Sequence, residues 1–125
     1  MHLSHDRPDY AYALRAADGQ RAKVNDRILT SSFAVAPDEL LADWPVRDAS
    51  QLIPADLDPL LALQPAVLIL GTGTDQVFPP AAVLAHCLGR GVGIEVMINA
   101  SAARTYNVLA SEARKVVAAF ILPGA

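Results

Sequence analysis

Three nearly unbroken apolar runs constrain the second half of this chain more than any other feature. They are Ala66–Leu70, Gly93–Ile98 and Val116–Leu122, and segments of helical spacing separate them. A strand without polar alternation is typical of a sheet that is covered on both faces. The alternation of strand and helix therefore predicts an α/β fold in this half.

Two helices are predicted between these strands. Pro79 and Pro80 open the first, which runs through His86 to Leu88 and is ended by Gly89 and Gly91, since proline suits a first turn and glycine a helix end. We expect Ser101 to cap the second helix. Its apolar stripe has spacings of three and four residues and comprises Ala102, Tyr106, Leu109, Ala113 and Val116 or Val117.

The first third of the chain reads as an antiparallel meander. Tyr10–Arg15 is followed by the turn pair Asp18-Gly19, and a second short run reaches Val24 before the turn pair Asn25-Asp26. A third strand is predicted over Ile28–Val35, where larger apolar residues alternate with smaller ones.

These patterns together predict a three-layer α/β domain, in which a central mixed β-sheet is flanked by helices and an antiparallel β element is added at the N-terminal end. A further helix is expected over Ala55–Leu63, because Leu57, Leu60 and Leu61 recur at helical spacing before Pro65. We expect residues 10–125 to form a single domain and residues 1–9 to form a flexible tail.

Composition narrows the possible partners. The 13 acidic residues outnumber the 10 Lys and Arg residues, so the chain has no excess of positive charge to attract the phosphates of a nucleic acid, and a nucleic-acid partner is not expected. No apolar stretch approaches the roughly 20 residues that span a bilayer, so membrane insertion is not expected. A single cysteine and the absence of a signal-like N-terminus favour a cytoplasmic protein without disulfides.

The segment Gly71-Thr72-Gly73-Thr74-Asp75 is the first candidate site, because it follows a buried strand and precedes a helix. Open α/β sheets bind ligands beyond the carboxyl ends of their strands, and glycine-rich backbone with hydroxyl groups can hold an anion. Gln76 interrupts a dinucleotide fingerprint, and the Lys of a phosphate loop is missing. Alternatively, the segment is a tight turn in which Asp75 caps a backbone amide.

The second candidate is a polar cluster on the last predicted helix. Arg104, Asn107 and Ser111 lie three and four residues apart and so share one face, which we expect to point outward or into the crevice. Arg104 would supply a forked donor for an anion or partner. The alternative is an ordinary solvated helix face.

The sequence predicts no catalytic constellation, metal site or cofactor. His86 and Cys87 are adjacent, so on a helix they point about 100° apart and do not form a nucleophile and base pair. We expect Cys87 to be a small buried residue. His2 and His5 lie in the predicted tail, where metal binding would be adventitious.

Three motifs together resemble one known family. They are Leu68-Ile-Leu-Gly-Thr-Gly73, Ala103-Arg-Thr-Tyr-Asn-Val-Leu109, and Glu112-Ala-Arg114 before an apolar strand. The chain resembles, from about Asp18 to Leu122, the small domain of unknown function that includes the mitochondrial complex I assembly factor 3 and adipogenesis-associated domain proteins. The resemblance implies a three-layer domain with a mixed sheet and an antiparallel element.

The chain departs from the family pattern at two places. The family usually has Glu-Gly-Arg where Glu112-Ala113-Arg114 stands, and Asp-Thr where Ile98-Asn99 stands. Ala113 would replace glycine easily inside a helix, with a gain of about 1 kcal/mol in propensity. The absent carboxylate at Ile98 argues against catalysis there.

The sequence and the resemblance lead to two functional hypotheses. The first is a non-enzymatic accessory or assembly protein that binds another protein, with a homo-oligomer also open. The second is a binder of, or an enzyme acting on, a small anionic ligand at Gly71–Asp75. The residues expected at the ligand or partner surface are those five together with Arg104 and Asn107.

Overall fold

The computed structural model describes residues 10 to 124, and the predicted tail of residues 1–9 lies outside them. The described chain forms two β-sheets with helices between and around them. The strands are β1 Leu14–Ala17, β2 Ala22–Val24, β3 Arg27–Leu29, β4 Ser31–Ala36, β5 Glu39–Leu41, β6 Val67–Gly71, β7 Gly93–Met97 and β8 Val116–Pro123. The helices are 3-10 turns at Ala49–Gln51 and Pro54–Leu57, then α1 Asp58–Leu61, α2 Ala81–Gly89 and α3 Asn99–Ser111.

The larger sheet has five strands in the order β5-β4-β8-β6-β7. β8 pairs parallel with β6 and antiparallel with β4, so the sheet is mixed. β6 also pairs parallel with β7. The last strand of the chain therefore lies at the centre, and all its residues are buried except Pro123.

Alternate residues of β8 supply the two sides of the core. Val117, Ala119 and Ile121 face one apolar cluster, which includes Val83 and Cys87 of α2. Ala118, Phe120 and Leu122 face the other, which includes residues of α3 and the N-terminal strands. Such two-sided burial is why the run contains no polar residue. The predicted α/β architecture with a central mixed sheet is confirmed.

The N-terminal element is a three-stranded antiparallel sheet in the order β1-β2-β3. It packs through β1 against α3, whose other side covers β8. The predicted N-terminal antiparallel element is therefore confirmed, and α3 lies between the two sheets.

Two strand boundaries in this region differ from the predictions. The predicted strand Ile28–Val35 is two strands, β3 and β4, which separate at Thr30 and belong to different sheets. Alternation alone cannot show this break, because both strands are extended. The first strand starts at Leu14 rather than Tyr10, since the amides of Ala11 and Tyr12 donate to the carbonyl of Pro37 instead of to a ladder.

Two helix boundaries also differ. The predicted helix Ala55–Leu63 is a 3-10 turn followed by the four-residue α1. α3 begins at Asn99, two residues before the expected cap Ser101, with Ile98 at the N-cap position. The side chain of Asn99 binds its first turn to neighbouring backbone groups.

Candidate functional site

The Gly71–Asp75 segment lies where the carboxyl end of β6 meets the start of α3. The amide of Thr72 donates to the carbonyl of Met97, at 3.0 Å. The hydroxyl of Thr72 accepts from the amide of Val77 at 3.1 Å and donates to the carbonyl of Asp75 at 2.6 Å. The Thr72 hydroxyl, rather than the Asp75 carboxylate of the turn hypothesis, therefore accepts the amide that closes this turn.

The two glycines of the segment are required for different reasons. A Cβ on Gly71 would collide with Oδ1 of Asn99 and crowd Phe120. Gly73 has open space around it but a φ of 98°, a conformation that side chains disfavour. Gly71 thus permits close packing, and Gly73 permits the turn.

Asn99 joins three parts of the molecule at this point. Its Oδ1 accepts from the amide of Gly73 at 3.0 Å, while its Nδ2 donates to the carbonyls of Asp18 and Ile121 at 3.0 and 3.1 Å. The side chain is fully buried. One amide therefore fastens the candidate loop to the β1–β2 turn and to the central strand.

Sequence reasoning missed Asn99, because it is neither apolar nor charged and lies outside the helical stripe. One signal was present: it stands where the resembling family has Thr, so a polar group is placed at the start of the helix in both. However, only its burial shows that Asn99 has a structural role, and burial cannot be read from a single sequence.

A shallow cavity of about 240 Å³ opens beside the loop. Thr72 to Asp75 form part of its wall, and Arg47, which the sequence did not single out, forms another part. A guanidinium beside a glycine-rich turn can attract a small anion, whereas the carboxylate of Asp75 on the same wall opposes one. The chemistry of the cavity is thus mixed rather than strongly cationic.

The structure separates the two helix residues that were expected to share a surface. Asn107 faces β1: its Oδ1 accepts from the amide of Leu14 at 3.0 Å, and its Nδ2 donates to the carbonyl of Leu14 at 2.7 Å. Arg104 is exposed and reaches the hydroxyl of Ser101 at 3.4 Å. The Ser111 hydroxyl donates to the carbonyl of Val108 in the same helix.

Tyr106 is buried where α3 packs against the N-terminal segment, residues 10–14. Its hydroxyl donates to the carbonyl of Tyr12 at 2.7 Å, and its ring meets Tyr10 edge to face. Burial raises the pKa of the Tyr106 phenol well above its ordinary value. Two consecutive residues of α3, Tyr106 and Asn107, therefore bind the N-terminal segment to this helix.

The thiol of Cys87 is buried in the apolar cluster under α2, and burial raises its pKa. A thiol in this state is a poor nucleophile. Its neighbour His86 points elsewhere, with Nε2 2.8 Å from Oδ1 of Asp58. Within residues 10 to 124, no three His, Cys, Asp or Glu side chains are grouped as metal ligands.

The Glu112-Ala113-Arg114 motif ends α3. The amide of Arg114 donates to the carbonyl of Leu109, and that of Ala113 to the carbonyl of Ala110, which is the bonding pattern of a Schellman motif. Ala113 lies beyond the helix with a φ of 60°. The expectation that Ala113 is favoured as a helical residue is therefore wrong, since its backbone is left-handed, where glycine is preferred.

Comparison with known proteins matches residues 14–121 to the family described as Protein of unknown function (DUF498/DUF598). The chain belongs to the DUF498/DUF598 family. The resemblance deduced from the three motifs is thereby confirmed.

One curated relative is similar along nearly the whole chain. A zebrafish protein named NADH dehydrogenase [ubiquinone] 1 alpha subcomplex assembly factor 3 is 33% identical over 118 residues, covering 93% of this chain and 64% of that protein. The chain spans between 53% and 64% of the length of the curated relatives it matches.

Two solved structures share the fold. An NMR structure from Xanthomonas campestris has 60% identity and a TM-score of 0.85, and covers 99% of this chain and 94% of its own. A Bordetella pertussis protein described as a Mth938-like domain has 29% identity and a TM-score of 0.82, with the same two coverages. Across residues 10 to 124, no helix has the length and apolarity needed to cross a bilayer.

Proposed function

We propose that this protein is a non-enzymatic accessory protein of the cytoplasm that acts by binding another protein. The observation that carries the proposal is the 33% identity to a named assembly factor over 93% of the chain. Protein binding is the activity that an assembly role requires, and a domain of this size can present a stable surface for it.

The contacts of the polar residues on α3 support the same proposal. Asn99, Tyr106 and Asn107 direct their polar atoms to backbone groups of the protein itself. Cys87 is buried. These polar and thiol side chains therefore have structural roles. The exposed surface of the protein is then the part that can carry its function.

The exposed face of α3 is the part of the family motif that is available to a partner. Arg104 is exposed, and Val108, one turn further along, is 55% exposed. An apolar side chain one turn from a guanidinium suits a protein contact, because the former is desolvated while the latter forms directional bonds.

The test is partner capture with a matched pair of charge variants. The tagged protein is purified from its native cells, and co-eluting proteins are quantified for the parent, for Arg104→Glu with Val108→Asp, and for Lys23→Glu as an exposed control on β2. We expect a stoichiometric partner that the α3 variant loses and the control keeps. Absence of any such partner, together with reproducible turnover of a small molecule, would refute the accessory role.

The cavity beside Gly71–Asp75 favours a second candidate function, the binding of a small anion. Arg47 would supply the main donor, since the amides of Thr72 and Gly73 and the hydroxyl of Thr72 already donate to groups of the protein itself. A thermal-shift screen of phosphates and carboxylates tests it, since ligand at about 100 times its dissociation constant adds roughly 2.7 kcal/mol to stability. The shift should vanish in Arg47→Gln and persist in Arg27→Gln; no shift across the panel would contradict this candidate.

A further inference from the structure

A larger cavity, of about 430 Å³, lies at the opposite end of the five-stranded sheet from the Gly71 loop. It is bounded by the amino ends of β6 and β8, the carboxyl end of β4 and the last turn of α3. Ligand crevices of open α/β sheets lie beyond the carboxyl ends of the strands, so sequence reasoning did not point here. Its volume is within the range of small-molecule sites.

The floor of this cavity is apolar. Ala36, Ala110, Val116 and Val117 all line it, and all four are buried within the two core clusters. Pro37, Leu63 and Pro65 extend the apolar lining. A hydrocarbon group placed on this floor would lose contact with water without burying a charged side chain of the protein.

The rim carries two adjacent cations. Arg114 and Lys115 are exposed at its edge, and among residues 10 to 124 no carboxylate lies within 4.0 Å of either. The backbone of Arg114 is fixed by the Schellman turn, with its amide 3.0 Å from the carbonyl of Leu109. The guanidinium therefore extends from a defined point beside the apolar floor.

Among residues 10 to 124, one carboxylate, Asp38, lies on the same rim. With two cations and one anion from these residues the rim is positive by a single charge, which favours a head group with one negative charge over a phosphomonoester with nearly two. A planar carboxylate also matches the fork of a guanidinium.

We propose that this cavity is a binding site for an unbranched aliphatic monocarboxylate, whose carboxylate contacts Arg114 and Lys115 and whose chain lies on the floor formed by Ala36, Ala110, Val116 and Val117. The site uses the Glu-x-Arg motif, which the partner surface on α3 leaves unexplained. It is independent of the proposed accessory function, and either can fail without the other.

The first test compares three probes by amide chemical-shift titration of the isotope-labelled protein. Octanoate below its micelle concentration supplies both chain and charge, octylammonium reverses the charge, and acetate omits the chain. We expect octanoate to shift the amides of Ala36, Ala110 and Val116 saturably, and the other two probes to bind at least about tenfold more weakly. Equal binding of octanoate and octylammonium, or no saturable shift with octanoate, would overturn the proposal.

The second test uses variants with a matched control. Arg114→Gln with Lys115→Gln should weaken octanoate binding about tenfold, whereas Lys23→Gln with Arg27→Gln, which removes the same charge from exposed positions of the N-terminal sheet, should not. Asp38→Asn should strengthen binding. If the rim and control variants lose affinity equally, the effect is one of net charge and the site assignment is wrong.

Discussion

The two long helices cover the central sheet in different ways. α2 contributes Val83 and Cys87 to an apolar cluster, and its clearest polar contact, between His86 and Asp58, is exposed. α3 also contributes apolar residues, but three of its polar side chains add hydrogen bonds to backbone groups of residues 12–18, of the Gly71–Asp75 loop and of β8; they are Asn99, Tyr106 and Asn107. α2 is therefore held mainly by apolar packing, whereas α3 is held by apolar packing and by directional hydrogen bonds.

The side-chain hydrogen bonds of α3 explain in part why this helix carries the recognisable motif. An apolar contact tolerates exchange among side chains of similar size. A side-chain amide that both accepts from and donates to the backbone of one residue, as Asn107 does at Leu14, is replaced less easily, because its removal takes a partner from both backbone groups. The specificity of Ala103–Leu109 as a motif thus follows in part from what holds the helix.

Asn99→Ala is expected to have the largest effect. It removes a hydrogen-bond partner from the Gly73 amide and from two carbonyls, at a cost of about 3 to 5 kcal/mol in the free energy of unfolding. Val83→Ala, equally buried on α2, should cost about 2 kcal/mol. Denaturant unfolding of both variants checks the comparison, and an equal cost would show that directional bonds add nothing on the α3 side.

Asn107→Ala should cost about 2 kcal/mol, because it releases both backbone groups of Leu14. Arg104→Ala, one turn earlier and exposed, should stay within about 0.5 kcal/mol of the parent. Hydrogen exchange should locate the loss of protection in β1. Unchanged exchange of β1 in Asn107→Ala would mean that the N-terminal sheet is held by apolar contacts alone.

The same contrast decides how much could be predicted from sequence. The apolar runs placed β6, β7 and β8 to within one residue, and Pro80 and Gly91 bracketed α2 correctly. These features depend on local propensity and two-sided burial, which a sequence displays. The buried position of Asn99 and the inward bonds of Asn107 depend on segments about 80 to 90 residues away. No periodicity records such distant partners.

Gly73→Ala separates backbone conformation from space. Neither Gly73 nor Gly89 has an atom near the place where a Cβ would stand, but only Gly73 of the two has a positive φ. Gly73→Ala should therefore cost about 1 to 2 kcal/mol, and Gly89→Ala, at the end of α2, should be neutral or stabilising by up to about 1 kcal/mol. A Gly73→Ala variant as stable as the parent would remove the special role assigned to that turn.

Tyr106 should make the α3 side sensitive to alkaline pH. Burial raises the pKa of its phenol in the folded protein, so above the unfolded-state pKa of about 10 the folded state retains a proton that the unfolded state loses. Stability is therefore complete below that pH and falls as the pH rises further. Tyr106→Phe should lose about 1 kcal/mol at neutral pH and show a shallower alkaline decline. Equal slopes for parent and variant would contradict this.

The smallest effect concerns how the two helices end. Both close with Schellman bonding, but the left-handed position is Gly91 after α2, with a φ of 76°, and Ala113 after α3, with a φ of 60°. Ala113→Gly should raise the free energy of unfolding by about 0.5 to 1 kcal/mol, and Gly91→Ala should lower it by a similar amount, because only the conformational preference of one residue changes. The resembling family usually has glycine where Ala113 stands, so the gain would restore the ordinary helix end. If Ala113→Gly is destabilising instead, the methyl group of Ala113 at the edge of the large cavity makes a contact that outweighs its backbone strain.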